Sequence, residues 1–175
     1  MQVAGTNRLT EADLRDRLSR VRLLVLDVDG VLTDGGLYYT DSGEELKKFN
    51  VKDGQGLQLI RQAGLEVAII SASASTATLH RAKKLGISHV YIGVSPKLPV
   101  LQELCRKLAI TLDQVAYAGD DVKDLPVMEV VGCPMTVADA MPANQTAAIY
   151  VTQRGGGQAA VREICELLLA AVKPL

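Results

Sequence analysis

The chain has 175 residues, enough for one domain with a substantial core, and 48% of them are hydrophobic. Its 19 Lys and Arg against 20 Asp and Glu leave a net charge of -1, which gives no electrostatic reason to expect a nucleic acid or a membrane surface as partner. Aromatic residues make up 3% and Trp is absent, so an aromatic platform for stacking bases is not expected.

The cysteines and the first residues bear on the compartment. Cys105, Cys133 and Cys165 are far apart and form neither a metal-binding pattern nor a disulfide framework. We interpret them as free thiols of a reducing compartment. Residues 1–20 are polar and charged, without the apolar segment of a secretion signal, and no stretch approaches the length of a membrane span. We therefore expect a cytoplasmic protein without membrane contact.

The first third of the chain predicts a helical extension, a buried strand and a β-hairpin. Thr10, followed by acidic residues, predicts a short helix to about Ser19 within an N-terminal extension over residues 1–20. The apolar run 21–26 predicts a strand of a parallel sheet that is covered on both faces. Two extended runs around a Ser-Gly turn predict a β-hairpin insertion over residues 36–51.

From there on, predicted helices and strands alternate. The strands are predicted at residues 65–70, 90–92, 115–118, 135–137 and 149–151. The helices are predicted at residues 53–64, 75–85, 96–108, 122–130 and 158–172. This alternation predicts an α/β fold with a single doubly wound, mostly parallel, Rossmann-like sheet, in one domain over residues 1–175.

Two carboxylates follow the first strand, at Asp27 and Asp29. Continued strand alternation would point both side chains the same way, into the crevice at the carboxyl ends of the strands where open α/β sheets bind ligands. Two like charges at the rim of an apolar sheet are costly without a cation or a shared proton. Because Mg²⁺ prefers oxygen ligands, we expect a magnesium site, which Asp120 is placed to complete after the strand at 115–118.

Other polar groups reach the same edge of the predicted sheet. Ser71 and the small residues after it let backbone N–H groups approach an anion, and Lys97 offers a cation to a phosphate. A carboxylate nucleophile, a divalent ion, an anion cradle and a cation are the parts of phosphoryl transfer. Taken singly, Ser71 is equally consistent with a helix N-cap, Lys97 with a solvated lysine, and Asp121 and Asp124 with helix N-terminal acids.

Taken together, these residues resemble the four motifs of the haloacid dehalogenase superfamily of phosphatases. The motifs correspond here to residues 27–33, Ser71, Lys97 and 119–124. Further segments resemble the small branch of that superfamily that has no cap domain, at residues 35–39, 49–54, 125–128, 137–140 and 156–163. The resemblance extends over residues 21–169, nearly the whole chain.

The resemblance implies a role for each matching residue. Asp27 is expected to be the nucleophile and a Mg²⁺ ligand, and Asp29 the general acid/base that reaches the metal through its backbone carbonyl. Asp120 is expected to be the third protein ligand, with Asp121 and Asp124 in support. Contacts with the phosphate or the substrate are implied for Thr33, Lys52, Asp53, Ser71, Ala72 and Lys97.

The resemblance also implies an activity and an assembly. The expected activity is Mg²⁺-dependent hydrolysis of a phosphorylated sugar acid, 3-deoxy-D-manno-octulosonate 8-phosphate (KDO 8-phosphate), in lipopolysaccharide biosynthesis. The expected assembly is a homotetramer whose hairpins pack between subunits. In place of a cap domain, the C-terminal Gly-rich segment of a neighbouring subunit is expected to close each site.

Three positions depart from the family pattern. The Arg that can meet the carboxylate of the substrate is Ser73 here, and a Ser cannot offer a bidentate fork. A His of the pattern is Met141, and the third Gly of the Gly-rich segment is Ala159. The change at Ser73 concerns the sugar more than the reaction.

Two other functions are therefore considered beside hydrolysis of KDO 8-phosphate. One is hydrolysis of a nonulosonate 9-phosphate, with Arg81 and Arg154 as candidates to replace the missing Arg. The other is a non-catalytic tetramerisation module, as found attached to sugar-nucleotide synthetases. Loss of a metal-binding Asp would favour the module, and the sequence shows no such loss.

Overall fold

The core of the structure, a computed structural model that describes residues 10–171, is a parallel β-sheet. The strands in chain order are β1 (Leu23–Leu26), β2 (Tyr38–Tyr39), β3 (Glu45–Leu46), β4 (Glu66–Ile70), β5 (His89–Tyr91), β6 (Val115–Ala118), β7 (Cys133–Thr136) and β8 (Tyr150–Val151). Six of them form the parallel sheet in the order β5-β4-β1-β6-β7-β8. The other two, β2 and β3, pair antiparallel as a separate hairpin.

Helices cover both faces of this sheet. The α-helices of the described residues are α1 (Glu11–Ser19), α2 (Val51–Gln62), α3 (Thr76–Leu85), α4 (Leu98–Leu108), α5 (Leu125–Met128), α6 (Pro142–Ala147) and α7 (Ala160–Ala171). Short 3₁₀ turns precede β6 and α5. The predicted doubly wound parallel sheet with a hairpin insertion is therefore confirmed. The first nine residues of the predicted extension, and Val172 of the predicted last helix, lie outside the described residues.

The central strand explains the unbroken apolar run near the start of the chain. Leu24 and Leu26 belong to the core that α2 and α7 complete, whereas Leu23 and Val25 belong to the core on the opposite face, against α4. All four side chains are fully buried. A strand covered on both faces has no solvent-facing positions, so its sequence does not alternate between apolar and polar residues.

Two helices begin at other residues than predicted. The helix predicted from Asp53 begins at Val51, because the Asn50 side chain accepts a hydrogen bond from the N–H of Lys52 and caps it. The helix predicted from Pro96 begins at Leu98.

The segments after β6 and β7 also differ from the prediction. The helix predicted at 122–130 is divided into a 3₁₀ turn, Val122–Asp124, and the short helix α5. Helix α6 was not predicted at all, because its sequence, Pro-Ala-Asn-Gln-Thr-Ala, carries no apolar periodicity. None of the helices within residues 10–171 has the length and hydrophobicity needed to cross a lipid bilayer.

A buried carboxylate on α2 connects this helix to the beginning of α7. Oδ1 of Asp53 accepts a 2.7 Å hydrogen bond from the N–H of Arg162, in the first turn of α7. Its other oxygen, Oδ2, is buried and has no hydrogen-bond partner within residues 10–171. Burial raises the pKa of Asp53 to about 6, although the N–H groups of Arg162 and Ala159 favour the charged form.

This raised pKa predicts how the stability of the protein changes with pH. The stabilisation from a protonated Asp53 is complete below the unfolded pKa of about 4 and is lost as the pH rises through about 6. The substitution Asp53→Asn removes this titration. Between pH 4 and pH 7 the wild type should lose this stabilisation and the variant should not. We therefore expect the free energy of unfolding of Asp53→Asn minus that of wild type to be larger at pH 7 than at pH 4, by about 1–3 kcal/mol. Urea unfolding at both pH values measures the difference.

The matched control is Asp41→Asn, which changes an exposed carboxylate in the hairpin turn. The difference in free energy of unfolding between Asp41→Asn and wild type should be the same at the two pH values. A difference between Asp53→Asn and wild type that is equally independent of pH would contradict the prediction.

Candidate active site

The carboxyl ends of three neighbouring strands meet at one edge of the sheet. β1 pairs with β4 on one side and with β6 on the other, so the residues that follow these strands are neighbours. They line a cavity of about 460 Å³. The cavity brings together most of the predicted site residues, namely Asp27, Asp29, Ser71, Ala72, Lys97, Asp120, Asp121 and Asp124.

Carboxylate oxygens of Asp27, Asp120 and Asp124 lie within 4.8 Å of one another. Burial and the neighbouring carboxylates raise the pKa of Asp27 to about 6 and that of Asp120 to about 7. Oδ1 of Asp120 is buried and has no hydrogen-bond partner within residues 10–171. A cation beside Asp120 would give this oxygen a partner and offset the repulsion, and carboxylate oxygens suit Mg²⁺. The residues present therefore fit a divalent cation.

Lys97 bridges two of these carboxylates. Its Nζ lies 2.7 Å from Oδ2 of Asp27 and 2.7 Å from Oδ1 of Asp124, and its side chain is 2% exposed. The same Asp124 oxygen accepts a 2.5 Å hydrogen bond from the hydroxyl of Tyr117. Oδ2 of Asp124 accepts bonds from the N–H groups of Asp120 and Asp121, at 3.1 and 3.3 Å. Since both its oxygens are occupied, Asp124 anchors Lys97 and the loop before it.

The backbone of residues 119–121 is also fixed from the opposite side. The carbonyl groups of these three residues accept, in order, hydrogen bonds from the hydroxyl of Thr136 at 2.6 Å, the N–H of Met141 at 2.9 Å and the side-chain amide of Asn144 at 2.9 Å. Two of the donors lie at or in α6, so this unpredicted helix positions the loop that carries Asp120. No sequence signal marked Asn144 for this part.

The segment after β4 is the one predicted to form an anion cradle. The hydroxyl of Ser71 accepts a 3.2 Å hydrogen bond from the N–H of Ser73. Within residues 10–171 the N–H of Ala72, which lines the cavity, has no acceptor. Ser73 lines the cavity as well, whereas neither Arg81 nor Arg154 does. The guanidinium of Arg81 instead donates to the carbonyl of Asn50 at 3.0 Å.

Three residues predicted to contact the substrate do not line the cavity. Thr33 is buried, and its hydroxyl closes the turn after β1 by donating to the carbonyl of Val28 and accepting from the N–H groups of Gly30 and Gly35. Lys52 is exposed in the first turn of α2. Asp53 faces the start of α7, as described above.

The Gly-rich segment packs against the loop after β1 of its own chain. The N–H of Gly157 donates a 3.1 Å hydrogen bond to the carbonyl of Val31. A Cβ at Gly156 would overlap the carbonyl of Gly30. Because the two backbones are in contact here, there is no room for a side chain at Gly156 or Gly157, and the segment holds the loop after β1 in place.

Lys47 contributes to the site without having been predicted. It follows β3 of the hairpin, and its ammonium contacts the carboxylate of Asp29 and lies 3.0 Å from Oε1 of Glu45. The Asp29 carboxylate is therefore engaged outside the cluster of Asp27, Asp120 and Asp124. Both Asp27 and Asp29 line the cavity, as expected, although β1 ends at Leu26, before either residue.

Gly30 allows the loop after β1 to approach the loop that carries Asp120. Its φ is +82°, a conformation that costs an L-residue about 1–2 kcal/mol, and a Cβ there would overlap the carboxylate of Asp120. Gly43 in the hairpin turn has a matching φ of +85°, but no atom of the described residues lies within 4 Å of its Cβ position. An alanine at either position therefore strains the backbone, but only an alanine at position 30 also displaces the Asp120 carboxylate.

We expect Gly30→Ala and Gly43→Ala to lose similar stability, about 1–2 kcal/mol each in urea unfolding. Only Gly30→Ala should also weaken Mg²⁺ binding in calorimetry, by roughly tenfold or more, because it displaces Asp120. Equal Mg²⁺ affinity of the two variants would contradict the close approach.

Comparison with known proteins places the chain in a family. Residues 93–157 match the family model of haloacid dehalogenase-like hydrolases. The chain is 49% identical, over 98% of its length and 94% of the relative, to the 3-deoxy-D-manno-octulosonate 8-phosphate phosphatase of Escherichia coli strain K12.

Solved structures are similar over most of their length. The phosphatase of the same name from Moraxella catarrhalis, in complex with a magnesium ion, a phosphate ion and a KDO molecule, is 39% identical with a TM-score of 0.91, over 93% of this chain and 94% of the other. The cobalt-bound Haemophilus influenzae enzyme is 36% identical with a TM-score of 0.85, over 89% and 91%. The chain therefore belongs to the 3-deoxy-D-manno-octulosonate 8-phosphate phosphatase family of haloacid dehalogenase-like hydrolases.

Proposed function

We propose that this protein is a Mg²⁺-dependent phosphomonoesterase that hydrolyses KDO 8-phosphate to KDO and phosphate. The observation that carries the proposal is the Asp27 carboxylate held by Lys97, beside an Asp120 oxygen that has no hydrogen-bond partner in the described part of the chain. These groups supply a nucleophile, a cation for a phosphoryl group and a metal ligand. The substrate named for the Escherichia coli relative supports the choice of sugar acid.

Asp27, Asp120 and the backbone carbonyl of Asp29 are the groups we propose to hold Mg²⁺. A bound Mg²⁺ acts as a Lewis acid and offsets the negative charge of the phosphoryl oxygens. Lys97 adds a second positive charge. Its ammonium has three N–H donors, two of them directed to Asp27 and Asp124, so the third is available to a phosphoryl group beside Asp27.

The first chemical step transfers the phosphoryl group to Asp27. A carboxylate oxygen of Asp27 attacks phosphorus, the bond from phosphorus to the sugar oxygen breaks, and Asp29 gives that oxygen its proton. In the second step Asp29, now ionised, accepts a proton from a water whose oxygen attacks the aspartyl phosphate. The bond to Asp27 breaks, phosphate leaves and both carboxyl groups return to their starting forms.

The Asp27→Asn variant tests the nucleophile, because an amide cannot form the aspartyl phosphate. With KDO 8-phosphate and Mg²⁺ we expect wild type to release phosphate and Asp27→Asn to lose roughly 10³-fold or more in kcat. The control is Asp16→Asn, at an exposed position on α1, which should keep wild-type turnover. Phosphate release by Asp27→Asn close to that of wild type would exclude the proposed nucleophile.

A nonulosonate 9-phosphate is the second candidate substrate, favoured by one observation. Ser73 lines the cavity where the family pattern has an Arg for the carboxylate of the substrate. The ratio of kcat/KM for the eight- and nine-carbon substrates decides between them. A wild-type protein that releases phosphate from neither, although it binds Mg²⁺, would support the non-catalytic module instead.

For the assembly we propose a homotetramer of single-domain chains over residues 1–175, built through the hairpin. The hairpin and its base carry exposed apolar side chains: Leu37 is 67% exposed, Tyr39 60% and Leu46 55%. Clustered exposed apolar residues mark interaction surfaces. All three cysteines are free thiols, which supports our proposal that the protein acts in the cytoplasm.

A charge on the hairpin should disrupt this assembly. We expect Tyr39→Glu to shift the protein from a tetramer to smaller species in size-exclusion chromatography with light scattering, because a carboxylate would be buried at the interface. Leu79→Glu, which changes a 41%-exposed apolar residue on α3, should leave the mass unchanged. Identical masses for Tyr39→Glu and wild type would argue against the hairpin interface.

A further inference from the structure

The hairpin brings a buried positive charge to the rim of the cavity. The side chain of Lys47 is only 4% exposed, although the residue follows a hairpin whose other side chains are mostly solvent-accessible. Burial disfavours its ammonium form, but Asp29 and Glu45 outweigh that effect and raise the pKa of Lys47. A buried lysine with two carboxylate partners is held in one place by them.

Lys47 has an anchor on its own hairpin. Oε1 of Glu45 lies 3.0 Å from its Nζ, and Glu45 is fixed by its register opposite Tyr39 in the β2–β3 pair. The neighbouring Lys48 is different, since its side chain is 62% exposed and pairs with Asp34 outside the cavity. Lys47 therefore forms an ion pair at the cavity, whereas the adjacent Lys48 forms one at the surface and serves as its control.

The partner of Lys47 is the residue to which the proposed function gives the proton transfer. The Asp29 carboxylate lines the cavity and contacts Lys47, whereas the carboxylate oxygens of Asp27, Asp120 and Asp124 lie close together without it. Without Lys47, nothing else in the described ion pairs would hold Asp29 apart from that cluster.

We propose that Lys47 is a positioning residue, which holds the Asp29 side chain at the cavity rim and apart from Asp27, Asp120 and Asp124. From the rim, the carboxyl group of Asp29 donates its proton to the sugar oxygen as that oxygen leaves. This inference rests on the proposed function, because it requires Asp29 to act as general acid. The hairpin thus contributes to the reaction from within the same chain, in addition to any part in assembly.

The test compares two substrates whose leaving groups differ in their need for a proton. The sugar alkoxide of KDO 8-phosphate must be protonated as it leaves, whereas p-nitrophenolate leaves without a proton. We expect Lys47→Met to lower kcat/KM for KDO 8-phosphate by roughly 10- to 100-fold and for p-nitrophenyl phosphate by less than about threefold. Lys47→Arg should recover most of the loss, and Lys48→Met should match wild type on both substrates.

A double variant shows whether Lys47 acts through Asp29. If it does, adding Lys47→Met to Asp29→Asn should change kcat/KM for KDO 8-phosphate by less than about twofold. Equal losses on the two substrates, or a full further loss in the Asp29→Asn background, would overturn the inference and show a purely structural part for Lys47. So would wild-type kinetics of Lys47→Met.

Failure of the proposed function gives a different result. In that case the wild-type protein itself would release no phosphate from KDO 8-phosphate, and the proposed function and the inference drawn from it would both be rejected. Circular dichroism and light scattering on each variant identify any loss that comes from unfolding or from altered assembly.

Discussion

The ammonium of Lys97, buried between Asp27 and Asp124, is the interaction on which the rest of the site depends. Three carboxylates converge at an edge of an apolar sheet, and the buried ammonium of Lys97 offsets part of their repulsion. Removing one partner of such a pair typically costs about 3–5 kcal/mol, because a buried charge is left unpaired. Tyr117 and the backbone N–H groups around Asp120 complete the arrangement by occupying the remaining Asp124 acceptors.

The fold followed from the sequence wherever burial imposes a simple pattern. Strands β1 and β6 were predicted well, because each is a short apolar run followed by carboxylates. Helix α6 was missed because tertiary hydrogen bonds, such as that from Asn144 to the loop after β6, hold it in place of an apolar stripe. Its formation depends on a neighbour that local sequence does not specify.

The residues of the site likewise fall into those that the sequence predicts and those that it does not. Residues directly after strand ends, such as Asp27, Ser71 and Asp120, reached the cavity because parallel strands bring those positions together. Thr33 and Asp53 did not, because buried polar residues that satisfy backbone groups look the same in sequence as residues that bind a ligand. Lys47 is the reverse case: its sequence position showed no link to the site, and its contact with Asp29 depends on the tertiary structure.

The backbone contact between Gly156 and Gly30 has a consequence for biosynthesis. Asp27, the proposed nucleophile, precedes the Gly-rich segment (residues 155–157) in the chain, so the ribosome makes the nucleophile before the segment that contacts its loop. Helix α7, which follows that segment, also packs extensively on α2. A nascent or truncated chain that ends before residue 155 would contain the acidic residues but would lack the backbone contacts of Gly156 and Gly157 with the loop after β1. The loop that carries Asp27 therefore gains this backbone contact only after the Gly-rich segment has been synthesised, although the loop itself is made earlier.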